Sequence, residues 1–322
     1  VTNPPMDPIR ERLVMSLRTY LGARGSIIDE TIEHARLVEL SSPVMSDAEV
    51  QHLTSAEGFV AVWLPTLFPA ADGESGMGPA VQALCDAAEE AVRDGVNLVM
   101  LSDREVSAEM APIPMVLATG AVHHRLISRG LRLRASIVVV SGEARDAHDL
   151  ACLVGFGASA VNPYLAIEQV RAMAAAGDVD VAPVAAQENY RSVLEKGLLK
   201  IMSKMGICTI SAYRGSELFE AIGLDEGVCD LAFRNVRRRV GGIDLARIAR
   251  STLALHAEMS GGEEAPGGYY KHRRGGMHHV NAPKAVLSVQ KAVRSGEADQ
   301  WQAYLDEVQN QRPALLLRDL VD

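Results

Sequence analysis

The sequence predicts an α/β fold: a mainly parallel sheet of about four or five strands with flanking helices, plus a helical C-terminal extension. Three observations carry this. Strand-like and helix-like segments alternate from about residue 58, as βαβ units do. The strand-like segments are nearly continuous apolar runs, as expected where both faces of a sheet are covered. Beyond about residue 231 no strong strand signal remains. The organisation read from this is 1–57 as a proline-stiffened lead-in and helix, 58–230 as the α/β core, and 231–322 as a helical extension.

Taken in order, Pro4, Pro5 and Pro8 fix an extended start, with Asp7 as a cap and Pro8 at the first helical position. Leu13, Val14 and Leu17 then give a short apolar face. "FVAVWL" (Phe59 to Leu64) is the first strand, and Ala80 to Asp94 the first long helix. "NLVMLSD" is the second strand, and Pro112 and Pro114 open a helix to about Arg129. "LRASIVVVSGE", rich in β-branched residues, is the third strand. "RDAHDLACLVGFG" is a helix, "ASAVNP" a short strand, and "YLAIEQVRAMAAAG" a helix ended by Gly177.

The longest helix follows Pro183, with Tyr190, Leu194, Leu198, Ile201 and Met205 in one apolar stripe and Gly206 as its stop. "ICTIS" reads as the last strand and "GSELFEAIG" as a short helix. "IDLARIARSTLALHAEMSGG" is a helix, "GGEEAPGGYYKHRRGGMHH" a loop, and two helices close the chain around Ala282 to Arg294 and Glu297 to Gln311.

Composition excludes several functions. The 322 residues are 48% hydrophobic and 23% charged, a globular mix, with a net charge of −9 that argues against nucleic-acid binding. "RNVRRR" (Arg234 to Arg239) is a local exception and reads as a solvated run. No apolar run approaches membrane-spanning length and no signal-peptide pattern is present, so no membrane partner and a cytoplasmic location are expected. Cys85, Cys152, Cys208 and Cys229 are too far apart for a zinc or iron–sulfur motif and read as reduced core thiols. His123–His124 are adjacent on a helix and so form a poor chelate. His278–His279, with His272 nearby, lack a completing Cys or carboxylate, and no metal is expected. "GFGASA" follows a helix, not a strand, which removes it as a dinucleotide fingerprint.

Ligands of parallel α/β sheets collect beyond the strand C-termini. Those positions hold "SDRE", "SGEAR", "NPY" and "SAYRG". Asp103, Arg104, Glu143, Asn162, Tyr213 and Arg214 would then form one charged rim. It is either a small-molecule or anion site, with Asp103 and Glu143 as acid and base of a stand-alone enzyme, or a salt-bridged surface that docks a neighbouring domain.

The blocks "VTNPPMDPIRERLVMSL", "APIPMVLATGAVHHRLISRGLRLRASIVVVSGEARDAH", "GASAVNPYLAIE" and "ENYRSVLEKGLLKIMSKMGICTISAYRGSELFEAIGL" resemble the central domain of the glutamate synthase large subunit. The resemblance runs over nearly the whole chain. It implies one region of a longer oxidoreductase that makes glutamate from glutamine and 2-oxoglutarate, without catalytic residues of its own. The implied partners are a glutaminase domain and an FMN-binding domain of the same polypeptide, with a small electron-donating subunit as a further one. FMN and an iron–sulfur cluster are implied for the parent, and no cofactor for this region. The resemblance places Val1, Thr2, Asn3 and Pro4 in the wall of an ammonia tunnel. A proline-stiffened strap can present carbonyls there without committing them to a ladder. One departure stands out. Where the family pattern has glycine, threonine and serine before a paired glycine, this chain has Asn235, Val236 and Arg238 before Gly241–Gly242. The hydrogen bonding of that turn therefore does not carry over. The competing reading is a stand-alone α/β scaffold or small-molecule-binding module.

Overall fold

A computed structural model of the protein describes residues 9–26, 28–29, 31–260, 272–276, 279 and 282–309. Val1 to Pro4, expected in a tunnel wall, Asp7, expected as a helix cap, Pro8 and His278 lie outside the described residues. The chain forms two compact units, Val1–Ala257 and Glu258–Asp322.

In chain order the elements are α1 (Glu11–Val14), β1 (Thr19–Leu21), β2 (Val38–Leu40), α2 (Asp47–Thr54), β3 (Ala61–Pro65), β4 (Leu67–Pro69), α3 (Met77–Arg93), β5 (Leu98–Ser102), β6 (Met110–Pro112), α4 (Met115–Ser128) and β7 (Ser136–Val140). There follow α5 (Ala147–Gly155), β8 (Ala160–Asn162), α6 (Tyr164–Ala176), α7 (Pro183–Met205), α8 (Ile210–Tyr213), β9 (Glu220–Leu224), α9 (Glu226–Ala232), β10 (Arg237–Ile243), α10 (Leu245–Ser260), α11 (Pro283–Ser295) and α12 (Ala298–Gln309).

The main sheet is four-stranded and wholly parallel, in the order β3-β5-β7-β8. All five residues of both β5 and β7 are buried. Their alternation divides the interior into two layers. Val99, Leu101, Ile137 and Val139 face a large core with helical residues such as Leu84, Val122, Leu150 and Leu198. Leu98, Met100, Val138 and Val140 face a smaller core with Leu21, Met45, Val50 and Leu53. The second face is thus covered by residues that precede the first strand of the sheet. A capping box starts α2, where Ser46 and Glu49 bond each other's backbone N–H, and Asp146 and Asp149 do the same for α5. Gly177 and Gly206 end α6 and α7 in left-handed conformations, φ 83° and 76°.

Several expectations are corrected. "ICTIS" is not a strand: Thr209 caps the four-residue α8 and makes an isolated parallel bridge to Ser16, which lies outside the strands. The place beside β8 is taken instead by the Pro43–Met45 chain. Val161 N–H donates to Pro43 O, and Met45 N–H to Val161 O. "GSELFEAIG" is not a helix, because Glu220–Leu224 is a strand paired parallel with Arg237–Ile243. A strand therefore does follow residue 231. The helix at the chain start is only α1, begun at Glu11, and Leu13 and Val14 are exposed. Cys208 is exposed and Cys152 half-buried, so only Cys85 and Cys229 are core thiols. Small antiparallel pairs, β1–β2 and β4–β6, accompany the parallel sheet.

The second unit contains α11 and α12, which turn at Gly296 and are tied by Lys284–Glu307 at 2.5 Å.

Candidate functional site

Four of the six rim residues meet where β5, β7 and β8 end. Asp103 follows β5 and is 3% exposed. Its carboxylate accepts the Ser141 hydroxyl at 2.9 Å and the Gly142 N–H at 2.9 and 3.0 Å. The Tyr164 hydroxyl also bonds it, and that phenol is pushed up to about 12, first by burial and then by the Asp103 charge. Asn162, fully buried, donates to Met45 O at 2.9 Å and accepts from Arg104 at 3.4 Å. The Arg104 guanidinium lies 4.0 Å over the Tyr164 ring and pairs with Asp47 at 2.5 Å. Glu143 follows β7 and turns its carboxylate onto the first turn of α4, accepting the Met115 N–H at 2.6 Å. Desolvation of its carboxyl against α4 raises its pKa, although the residue as a whole is exposed.

Tyr213 and Arg214 are not on this rim. Tyr213 is fully buried in the larger core, its hydroxyl without a partner among the described residues. Arg214 lies with the N-terminal ends of the strands: Gly215 N–H donates to Val154 O and packs on the His123 ring. Both residues follow "ICTIS", and their misplacement follows from reading that segment as a strand.

Sequence reasoning missed what closes the rim. Ser141, Gly142 and Tyr164 hold Asp103, and Asp47 holds Arg104. The capping-box pattern S-D-A-E at Ser46 to Glu49 was the available signal. Glu49 also accepts Arg191 from α7 at 3.0 Å, which pins α2 beside the strand ends. A groove of about 540 Å³, lined by Leu287, Gln290, Lys291, Arg294 and Ser295, belongs to the second unit and contains none of these groups.

Asp103 is held by Ser141 and Gly142, Arg104 by Asp47 and Asn162, and Glu143 accepts from the start of α4. Asp103 on the Gly142 N–H and Glu143 on the start of α4 put negative charge on the N–H groups at these strand ends, which disfavours an anionic phosphate there. No group of three His, Cys, Asp or Glu able to hold a metal occurs among the described residues. These residues do not fit FMN or an iron–sulfur cluster. Fold and rim together define an α/β sheet domain whose strand ends are closed by their own side chains.

Comparison with known proteins sharpens that class. The sequence profile described as "Glutamate synthase central domain" matches residues 1–225. The whole chain aligns with the ferredoxin-dependent glutamate synthase of Pyropia yezoensis at 37% identity, covering 22% of it. It aligns with the chloroplastic ferredoxin-dependent glutamate synthase of Spinacia oleracea at 39% identity, covering 21% of that protein. With the large chain of the NADPH glutamate synthase of Bacillus subtilis the identity is 36%, over 98% of this chain and 21% of the relative. The chain belongs to the glutamate synthase central domain family. It spans about a fifth of the length of the curated relatives it matches.

Proposed function

We infer that this chain is the coupling domain of a longer glutamate synthase, an oxidoreductase that forms glutamate from glutamine and 2-oxoglutarate. In this reading glutamine is hydrolysed in one flanking domain, and its ammonia reaches a flavin-bearing domain where the imine of 2-oxoglutarate is reduced. The central domain performs neither step. It holds the two partners in register and contributes Val1 to Pro4 to the ammonia passage. The observation that carries this is the family match over residues 1–225. The self-paired rim supports it, because it offers neither a free acid–base pair nor a nucleophile beside a base. Cys85 and Cys152 have their thiols pushed up to about 11 by burial, which keeps them protonated and unreactive at neutral pH.

The test is a side-by-side assay. The 322-residue chain alone is expected neither to hydrolyse glutamine nor to form glutamate. In the intact parent, Thr2→Trp should leave glutamine hydrolysis and ammonia-dependent synthesis in place while glutamine-dependent synthesis falls. Unchanged glutamine-dependent synthesis would remove the passage assignment. A parallel loss of all three activities would mean that the strap only stiffens a connection.

A further inference from the structure

The N-terminal ends of the sheet strands carry a second polar cluster, and it is cationic. Arg132, just before β7, donates through Nε to His123 Nδ1 at 2.8 Å, and through its two Nη atoms to Ala135 O and Gly157 O, both at 2.7 Å. Arg24 is brought to the same place because its N–H donates to Leu133 O at 2.8 Å. Arg214 reaches it from α8: the next residue, Gly215, sits where an added Cβ would be 3.2 Å from the His123 ring. All three arginines are half-buried.

No carboxylate pairs with any of the three among the described residues, and the side chains of Arg24 and Arg214 have no hydrogen-bond partner there. Glu217, a buried acid close in sequence, is committed to His124 at 2.8 Å. His123 is itself neutral: burial, then the charge of Arg132, pulls it down to about 3. Other arginines of the chain do have acids, such as Arg104 with Asp47, Arg125 with Glu89 and Arg250 with Glu74. Among the described residues, then, no acid compensates these three neighbouring guanidiniums, on a chain whose net charge is −9.

We propose that Arg24, Arg132 and Arg214 form a binding site for a small multivalent oxyanion at the N-terminal end of the sheet, opposite the Asp103 rim. A guanidinium presents paired N–H donors that match the oxygens of a carboxylate or phosphate. Three positive charges call for more than one negative charge in return. Burial and mutual repulsion already pull Arg214 down to about 9 and Arg132 to about 10, a cost that a bound dianion would relieve.

The full chain should be titrated with inorganic phosphate and, in a second arm, succinate, against potassium chloride at equal ionic strength. Calorimetry and thermal unfolding are the readouts. A saturable rise in Tm with phosphate or succinate, and none with chloride, is expected. The stronger of the two arms identifies the ligand as a phosphate-like or a dicarboxylate anion. Arg24→Gln and Arg214→Gln should each weaken binding about tenfold or more. Arg171→Gln, whose guanidinium pairs with Glu168 on an exposed helix, should not change it. In anion-free buffer both glutamine variants should melt no lower than the wild type, because each removes a repelling charge. No saturable response to either anion, an undiminished response in both variants, or a lower anion-free Tm would each overturn the proposal.

Discussion

The two ends of the parallel sheet handle charge in opposite ways. At the C-terminal ends carboxylates are met by N–H and O–H donors: Asp103 by Ser141, Gly142 and Tyr164, and Glu143 by the start of α4. At the N-terminal ends guanidinium groups are met by carbonyls: Arg132 by Ala135 O and by Gly157 O, just beyond α5. Strand direction explains the difference. Helices begin after parallel strands and leave free N–H groups there, and they end before the next strand and leave free carbonyls. An acid therefore suits one end and a base the other. What separates the ends is completeness. Asp103 is held by several partners, whereas among the described residues the side chains of Arg24 and Arg214 have none.

The largest effect should come from breaking the saturated end. Asp103→Ala leaves the Ser141 hydroxyl and the Gly142 N–H without their acceptor in a buried setting. A loss of about 3 kcal/mol is expected from urea unfolding. A change within about 0.5 kcal/mol would mean that water replaces the carboxylate, and the rim would then count as an open site.

Arg132→Met should cost less, about 2 kcal/mol, although it removes three hydrogen bonds. The methionine fills part of the space, and removal of one charge relieves Arg24 and Arg214. If it proved more damaging than Asp103→Ala, the N-terminal cluster would be the better-satisfied end and the comparison would be reversed.

The smallest effect separates the two acids of the rim. Desolvation holds Glu143 above its ordinary value of 4.5, so the folded state binds its proton more tightly than the unfolded chain does. The stability this provides is present below the unfolded pKa and is lost as pH rises through the folded one. Glu143→Gln keeps an oxygen for Met115 N–H and carries no charge. It should therefore be slightly more stable than the wild type at pH 8, with the gap closing as pH falls through the carboxylate range. Solvent around this exposed residue keeps the difference small. An equal gap at pH 4 and pH 8 would show that the Glu143 charge is not desolvated.

Much of the fold was legible because its signals are local. The β-branched run of β7, the apolar run of β5 and the proline-opened, glycine-closed α7 each declare themselves within a few residues. The strand ends are legible in part for the same reason, since they follow from the strands, and Asp103, Arg104, Glu143 and Asn162 lie at them. "ICTIS" failed because a short β-branched run states a propensity and not a partner. The edge it would have occupied is filled by Pro43–Met45, more than 150 residues earlier in the chain. "GSELFEAIG" failed likewise, because Glu220–Leu224 gains its strand partner only from Arg237–Ile243.

The sequence by itself determined the alternation of strands and helices, the parallel sheet, the helix stops and the family, because periodicity, capping and turn chemistry act over a few residues. Only the tertiary structure decided which groups meet. It set Asp103 against Ser141 and Gly142, turned Tyr213 into the core, and carried Arg214 to the far end of the sheet beside Arg132. Such meetings join residues tens to more than a hundred positions apart. They depend on which burial and which hydrogen bonds win when all the segments compete for the same edges, and no local pattern records the outcome of that competition.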